Sequence, residues 1–159
     1  QTTREDFVYN LQGLLDTRTR YSQVDANGSG IPTGASQTRQ VYDTAGRLLF
    51  SYDGNNNQTS YSYDGLGRLL STTDAYSKST VHTYDDAGRR ITHLYANGRL
   101  DTQTYDLGGQ LTSQLAGGVQ PTQYAYDAAG RLAYTQDADG NRVYQLYDEA
   151  NRLVGELHG

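Results

Sequence analysis

Carboxylates are the most frequent reactive groups in this chain, and their placement invites two chemistries. Two acids roughly 5–10 Å apart can divide the work of glycoside hydrolysis. The run Asp137, Asp139, Asn141 opens like a calcium-binding loop. In that run the glycine falls too early and the distal Glu ligand is absent. The paired-acid reading has a stronger competitor, because each recurring Asp stands at the first place of a four-residue turn, where its side chain serves backbone N–H groups. His82, His93 and His158 show no metal-ligand spacing and read as surface or half-buried histidines. There is no Gly-x-Ser-x-Gly elbow and no phosphate loop. With no Cys, disulfide and thiolate chemistry are excluded. The residues therefore assign no catalytic, cofactor or metal role, and the expectation is a protein that is not an enzyme.

What must be positioned is a repeat. Tyr-Asp returns as Tyr42-Asp43, Tyr63-Asp64, Tyr84-Asp85, Tyr105-Asp106, Tyr126-Asp127 and Tyr147-Asp148, each step being 21 residues. A fixed period of this size marks an array of small supersecondary units that bury apolar surface only by stacking on their neighbours. Within the unit, Asp at the first and Gly at the fourth turn position predict a type I turn closed by a residue with positive φ, as in a G1-bulge hairpin. The spacing runs from Asp43 to Gly46, Asp64 to Gly67, Asp85 to Gly88, Asp106 to Gly109 and Asp127 to Gly130. After Asp148 the Gly place is taken by Asn151, a residue that tolerates the left-handed region.

A second turn follows ten residues on, as in Asp53-Gly54-Asn55-Asn56, Asp74-Ala75-Tyr76-Ser77, Tyr95-Ala96-Asn97-Gly98 and Asp137-Ala138-Asp139-Gly140. Turn starts at 43, 53, 64, 74, 85, 95, 106, 116, 127, 137 and 148 leave strands of about six residues, the usual length. Leu48, Leu69, Leu111, Leu132 and Leu153 form one column of the outgoing strand. The repeat tyrosines form another in the returning strand, preceded on the same face by Tyr61, His82, Gln103, Tyr124 and Gln145. The fold class is all-β, an antiparallel β-hairpin repeat array forming a meander. With about 12–14 strands and the ordinary strand-to-strand twist, it is expected to be a twisted or spiralling open sheet.

Composition agrees. Only 35% of the chain is hydrophobic, with 15 Tyr, 2 Phe and no Trp or Met, so a compact aliphatic core is not expected. The net charge of −5 and dispersed Arg residues exclude a clustered phosphate-binding face, hence no nucleic-acid partner. No apolar run approaches the ~18 residues of a membrane span. The chain starts at Gln1 in mid-pattern, which reads as a processed product or a piece of a longer polypeptide.

Residues 1–41 depart from the period and are assigned to a degenerate first repeat with an extended hairpin insertion, followed by regular repeats over residues 42–159. Tyr9-Asn10-Leu11-Gln12-Gly13 resembles a unit, yet Tyr42 lies 33 residues beyond Tyr9. The added segment, around Asp25 to Gly34, is the strongest irregularity and the expected place of a contact site.

Units such as Tyr42-Asp43-Thr44-Ala45-Gly46-Arg47-Leu48 and Tyr63-Asp64-Gly65-Leu66-Gly67-Arg68-Leu69 closely resemble the YD repeats of bacterial Rhs proteins, of the cocoon-forming component of insecticidal toxin complexes, and of animal teneurins. The resemblance covers residues 42–159 well and 9–41 weakly. It implies a spiral of antiparallel hairpins in a large secreted or cell-surface shell. The self-cleaving Asp-Pro-rich segment of Rhs toxins has no counterpart, since the chain contains no Asp-Pro. The unit at Tyr84 carries Arg90 for the usual Leu, and that at Tyr105 carries Gln110 for the usual Arg.

The reading is a non-catalytic structural scaffold, a shell or wall segment of a secreted or cell-surface YD-repeat protein. Its partners are other repeats of the same protein or further copies of itself. Two alternatives stand beside it: a self-assembling subunit of an extracellular fibre or tube through β-edge contacts, and an adhesin module whose tyrosine ladder stacks on glycan rings.

Overall fold

The computed structural model describes residues 3–118 and 120–159. It contains fourteen strands, all antiparallel and hydrogen-bonded in chain order, in one open sheet. The chain divides into two units, residues 1–81 and 82–159. The first holds β1 (Arg4–Tyr9), β2 (Leu15–Tyr21), β3 (Ser36–Tyr42), β4 (Leu48–Tyr52), β5 (Gln58–Tyr63), β6 (Leu69–Thr73) and the start of β7 (Ser79–Asp85). The second holds the rest of β7, β8 (Arg90–Leu94), β9 (Leu100–Tyr105), β10 (Leu111–Ala116), β11 (Thr122–Tyr126), β12 (Leu132–Gln136), β13 (Arg142–Tyr147) and β14 (Leu153–His158). No described residue is helical, so no helix is long and apolar enough to cross a membrane.

Tyr, Thr, Val and Leu dominate these strands because they suit a pleated surface, while Asp, Asn and Gly are concentrated in the turns. Register slips by one residue immediately before a repeat tyrosine. Val41 faces Phe50 while Tyr42 faces Leu48, and the same shift separates Ser62 from Tyr63, Ala125 from Tyr126 and Leu146 from Tyr147. A bulge beside each Asp-x-x-Gly turn thus adds one residue to one arm, which is why turn starts alternate by ten and eleven.

No second layer covers the sheet within either unit. Among the described residues none is buried, polar or apolar. Side chains on the strands are half-covered by their neighbours on adjacent strands, so stabilisation must come from cross-strand pairs worth about 0.2–1 kcal/mol each. Tyr134 and Tyr144 are one such pair, with ring centroids 5.5 Å apart. Ser62 and Ser71 hydroxyls are another at 2.7 Å, and Thr73 and Ser79 a third at 2.8 Å.

Two local readings of the sequence need correction. In the unit at Tyr84, β7 runs through Asp85 and the turn is Asp86-Ala87-Gly88-Arg89, with Arg89 rather than Gly88 in the left-handed region at φ 47°. Two successive Asp residues offer two possible turn starts, and Arg90 removes the leucine that pairs with the tyrosine in regular units. Near residue 116, Ala116 still belongs to β10 and the chain turns at Gly117, whose N–H reaches Leu100 O; Val119, next in this connection, lies outside the described residues. In the first repeat, Gly13 has φ 76° and its N–H donates to Asn10 O.

The segment between β2 and β3 is compact. Val24 bridges Gly30, Gly28 closes a turn on Asp25, and Ala35 closes another on Pro32. The ring of Tyr21 lies directly against Gly30, where any Cβ would collide with the ring atoms nearest its backbone.

Gly130, at φ 80°, provides a test of the turn requirement. Gly130→Ala is expected to destabilise by about 1–2 kcal/mol, whereas Gly130→Asn costs clearly less, because only Asn among common residues visits this region readily. Urea unfolding of the two variants beside the parent chain reads the difference.

Candidate functional site

The turn carboxylates share one geometry. Asp43 Oδ1 accepts the N–H groups of Ala45 and Arg47 at 2.9 Å each, and Oδ2 accepts Arg47 Nε–H at 2.7 Å. Asp64 with Leu66 and Arg68, Asp127 with Ala129 and Arg131, and Asp148 with Ala150 and Arg152 repeat it. At Asp106 the backbone bonds come from Gly108 and Gln110, and Gln110 in the Arg place makes no ion pair. Asp53 and Asp137 use Asn57 and Asn141 instead of Arg. In the irregular unit Asp85 Oδ1 accepts Gly88 N–H at 2.8 Å, and Arg89 Nε–H donates to Tyr105 O at 3.2 Å.

The residue after the turn then reaches the next unit. Arg47 stacks over the Tyr63 ring at 5.2 Å and Arg131 over Tyr147 at 4.6 Å. Arg131 also donates to Asn151 Oδ1 at 2.6 Å, and Gln110 donates to Gly130 O at 2.8 Å. Gln12 does the same to Thr44 O across the insertion, at 3.1 Å.

The repeat tyrosines return the contact. Tyr63 OH donates to Leu48 O at 2.9 Å, Tyr126 OH to Leu111 O at 2.9 Å and Tyr147 OH to Leu132 O at 3.0 Å. Each partner is the column leucine of the preceding unit. Tyr42 and Tyr105 donate instead to Gln40 and Gln103 two residues earlier. Tyr84 is the penultimate residue of β7, ahead of the displaced turn. Gly46, Gly67 and Gly109 close their turns at φ 80–82°, with Asn151 at 63°.

Electrostatics follow from these bonds. The backbone N–H of Arg47 and then its guanidinium hold the Asp43 carboxyl below the usual range, and Asp127 and Asp148 are lowered by the same two groups of Arg131 and Arg152. Backbone donation from Arg68 leads at Asp64. The Asn57 and Asn141 amides lead at Asp53 and Asp137. Burial pushes the Tyr63 and Tyr126 phenols up, keeping them protonated donors. Carboxylates that remain ionised and fully hydrogen-bonded are poor general acids. Asp137 and Asp139, the start of the calcium-like run, sit in an ordinary turn in which Asp137 Oδ1 accepts the Asp139 and Asn141 N–H groups. Among the described residues no group of three or more His, Asp or Glu is placed to hold a metal.

One pairing escaped the sequence reading. His82 Nδ1 and His93 Nδ1 lie 2.6 Å apart, with ring centroids 4.8 Å apart and planes at 79°. Their separation of eleven residues is that of facing positions in the neighbouring hairpins, such as Tyr61 with Thr72 and Tyr124 with Thr135. That offset was the signal available.

The RHS Repeat family profile matches residues 42–79, 63–100 and 105–142, together more than half of the chain. The chain belongs to the RHS repeat family. No curated protein sequence matches it. Among solved structures it resembles a chain of the Photorhabdus luminescens Tc holotoxin pore with mutated TccC3, at TM-score 0.53 and 15% identity over 98% of this chain and 11% of that one. A crystal structure of TcdB2-TccC3-TEV gives 0.54 and 15% over 99% and 11%. The chain thus spans about one ninth of those proteins, and at this identity the likeness is one of fold.

Tyr126→Phe removes a donor and leaves Leu111 O without its partner; a loss of about 1 kcal/mol is expected. The Tyr105 hydroxyl donates to the Gln103 side chain, and Tyr105→Phe is expected to change stability by less than about 0.5 kcal/mol. Denaturant titrations of the two variants compare these directly.

The lowered carboxyls also set an acid limit. Because Asp43, Asp53, Asp64, Asp127, Asp137 and Asp148 all have folded pKa values below the unfolded ones, their contribution is fully present above the ordinary Asp range. It disappears as pH falls through the folded values, below about pH 4. Thermal midpoints are expected to be flat from pH 7 to 5 and to drop steeply below 4. A midpoint that holds down to pH 2 would remove the carboxylates from the account.

Proposed function

We propose that this chain is a non-catalytic scaffold, a segment of β-sheet wall in a larger secreted or cell-surface repeat protein. The observation that carries the reading is the destination of the polar side chains. The turn carboxylate, the arginine beside it and the tyrosine of the next repeat are used in holding one hairpin to the next. With no buried residue among those described, each hairpin depends on its neighbours for what little burial it has. The fold likeness to stretches of TcdB2-TccC3 chains supports a wall built from many more such units. Partners are then other repeats of the same protein.

A second reading, end-to-end association of copies, is favoured by one feature. The outermost strands carry exposed apolar residues, Phe7, Val8 and Tyr9 on β1 and Leu153, Val154 and Leu157 on β14. Uncovered strands of this kind recruit further strands.

Stability in a nearest-neighbour array rises with the number of units. A duplicate of residues 127–147 inserted after Tyr147 adds one repeat in register. The lengthened chain is expected to unfold at higher temperature and higher urea concentration than the parent; an equal or lower midpoint overturns the wall reading. Negative-stain images over a concentration series separate the second reading, with regular filaments supporting it and discrete particles throughout rejecting it.

A further inference from the structure

The hairpin of β7 and β8 differs from its neighbours in what it carries on one rung. Facing positions elsewhere hold Tyr61 and Thr72, Gln103 and Gln114, Tyr124 and Thr135, or Gln145 and Glu156. Here they hold two imidazoles whose Nδ1 atoms converge to 2.6 Å. On the next strand, the residue paired with His93 is Asp101. The equivalent places hold Thr80 opposite Thr72, Thr122 opposite Gln114 and Val143 opposite Thr135. One row across β7, β8 and β9 therefore reads His-His-Asp, where none of the other rows named carries a histidine.

Two Nδ1 atoms this close share a single proton: one ring donates and the other presents its lone pair. Both rings are half-buried, and neither Nε2 is hydrogen-bonded to a described residue. Asp101 is ion-paired with Arg99, at 2.9 and 2.8 Å.

We propose that His82 and His93 form a two-imidazole site for a divalent late transition-metal ion, with Nδ1 of each ring as ligand. The ion takes the place of the shared proton: the ring that held it at Nδ1 loses that proton and takes one up from solvent at its free Nε2, so both imidazoles stay neutral and no net proton is released. At metal–nitrogen distances of about 2.0–2.1 Å, tetrahedral geometry places the two nitrogens roughly 3.3 Å apart, so the rings must open by about 0.7 Å. Side-chain rotation on an uncovered sheet provides that. Water completes the coordination, since Arg99 occupies both Asp101 oxygens. The site lies entirely within one hairpin and is independent of whether the chain acts as a wall.

Zn2+ alone is the probe, titrated into the intact chain at neutral pH with a chromophoric chelator as competitor and imidazole 15N resonances as the structural readout. The expected result is one ion per chain, with the Nδ1 resonances of His82 and His93 shifting while those of His158 stay in place. His82→Gln and His93→Gln are each expected to weaken binding by roughly tenfold or more, since even outer-shell losses cost that much. His158→Gln should bind as the parent does. No Nδ1 shift at excess Zn2+, or undiminished binding in the His82→Gln, His93→Gln double variant, overturns the proposal and leaves a proton-sharing pair. Should a variant not fold, the resonances of the parent chain still decide.

Discussion

The interaction on which this structure depends is the clasp between the turn of one repeat and the tyrosine of the next. A hairpin by itself is marginal in water, and a sheet without a second layer has no enclosed core to rescue it. Asp43 fixes its own turn through two backbone N–H bonds and fixes Arg47 through its second oxygen. Arg47 then covers the Tyr63 ring, whose hydroxyl returns to Leu48 O. The loop closes over a single repeat boundary. Each of its bonds is worth little alone, yet all depend on the same turn conformation, so they form or fail together.

At Tyr63 and Tyr147 this arrangement explains why the residue is tyrosine and neither phenylalanine nor leucine. The side chain must supply three things at once: apolar area, a face for a guanidinium and a donor at its far end. It also explains the bulge. By shifting Tyr63 opposite Leu69 rather than along the regular register, the extra residue places the tyrosine at the foot of its own turn. From there its hydroxyl reaches the strand of the preceding unit.

Much of this was legible in the sequence because turn chemistry is local. The Asp-x-x-Gly spacing, the alternation of ten and eleven and the strand lengths are set by neighbours within five residues, and they define the hairpins. The destination of the tyrosine hydroxyls was not legible, since Leu48 and Tyr63 are joined only by lateral strand spacing. The Tyr84 unit was misread for a different reason. Asp85 satisfies the Asp-x-x-Gly rule through Gly88 and Asp86 does not, yet the chain turns at Asp86 with Arg89 at positive φ; Asp85 instead accepts the Gly88 N–H with its side chain. His82 and His93 were read singly because metal-ligand spacing was sought along the chain, whereas a hairpin brings together residues whose positions sum to a constant.

Nearest-neighbour coupling also determines how such a chain tolerates change. Gln110 stands where other units have Arg, and it keeps the lateral contact by donating to Gly130 O while giving up the ion pair. The strands on either side retain their order and antiparallel pairing. In the unit with Arg90 the departure goes further: the turn is displaced by one residue and Arg89 sits at positive φ, yet β8 still pairs with β9 over five positions. A defect in a layered core propagates because every side chain there has many partners; here it ends at the next strand. A rung freed from the clasp can therefore change its chemistry without cost to the array. The hairpin with the irregular turn is also the one in which the rung held elsewhere by Tyr and Thr, two Gln, or Gln and Glu is a pair of imidazoles.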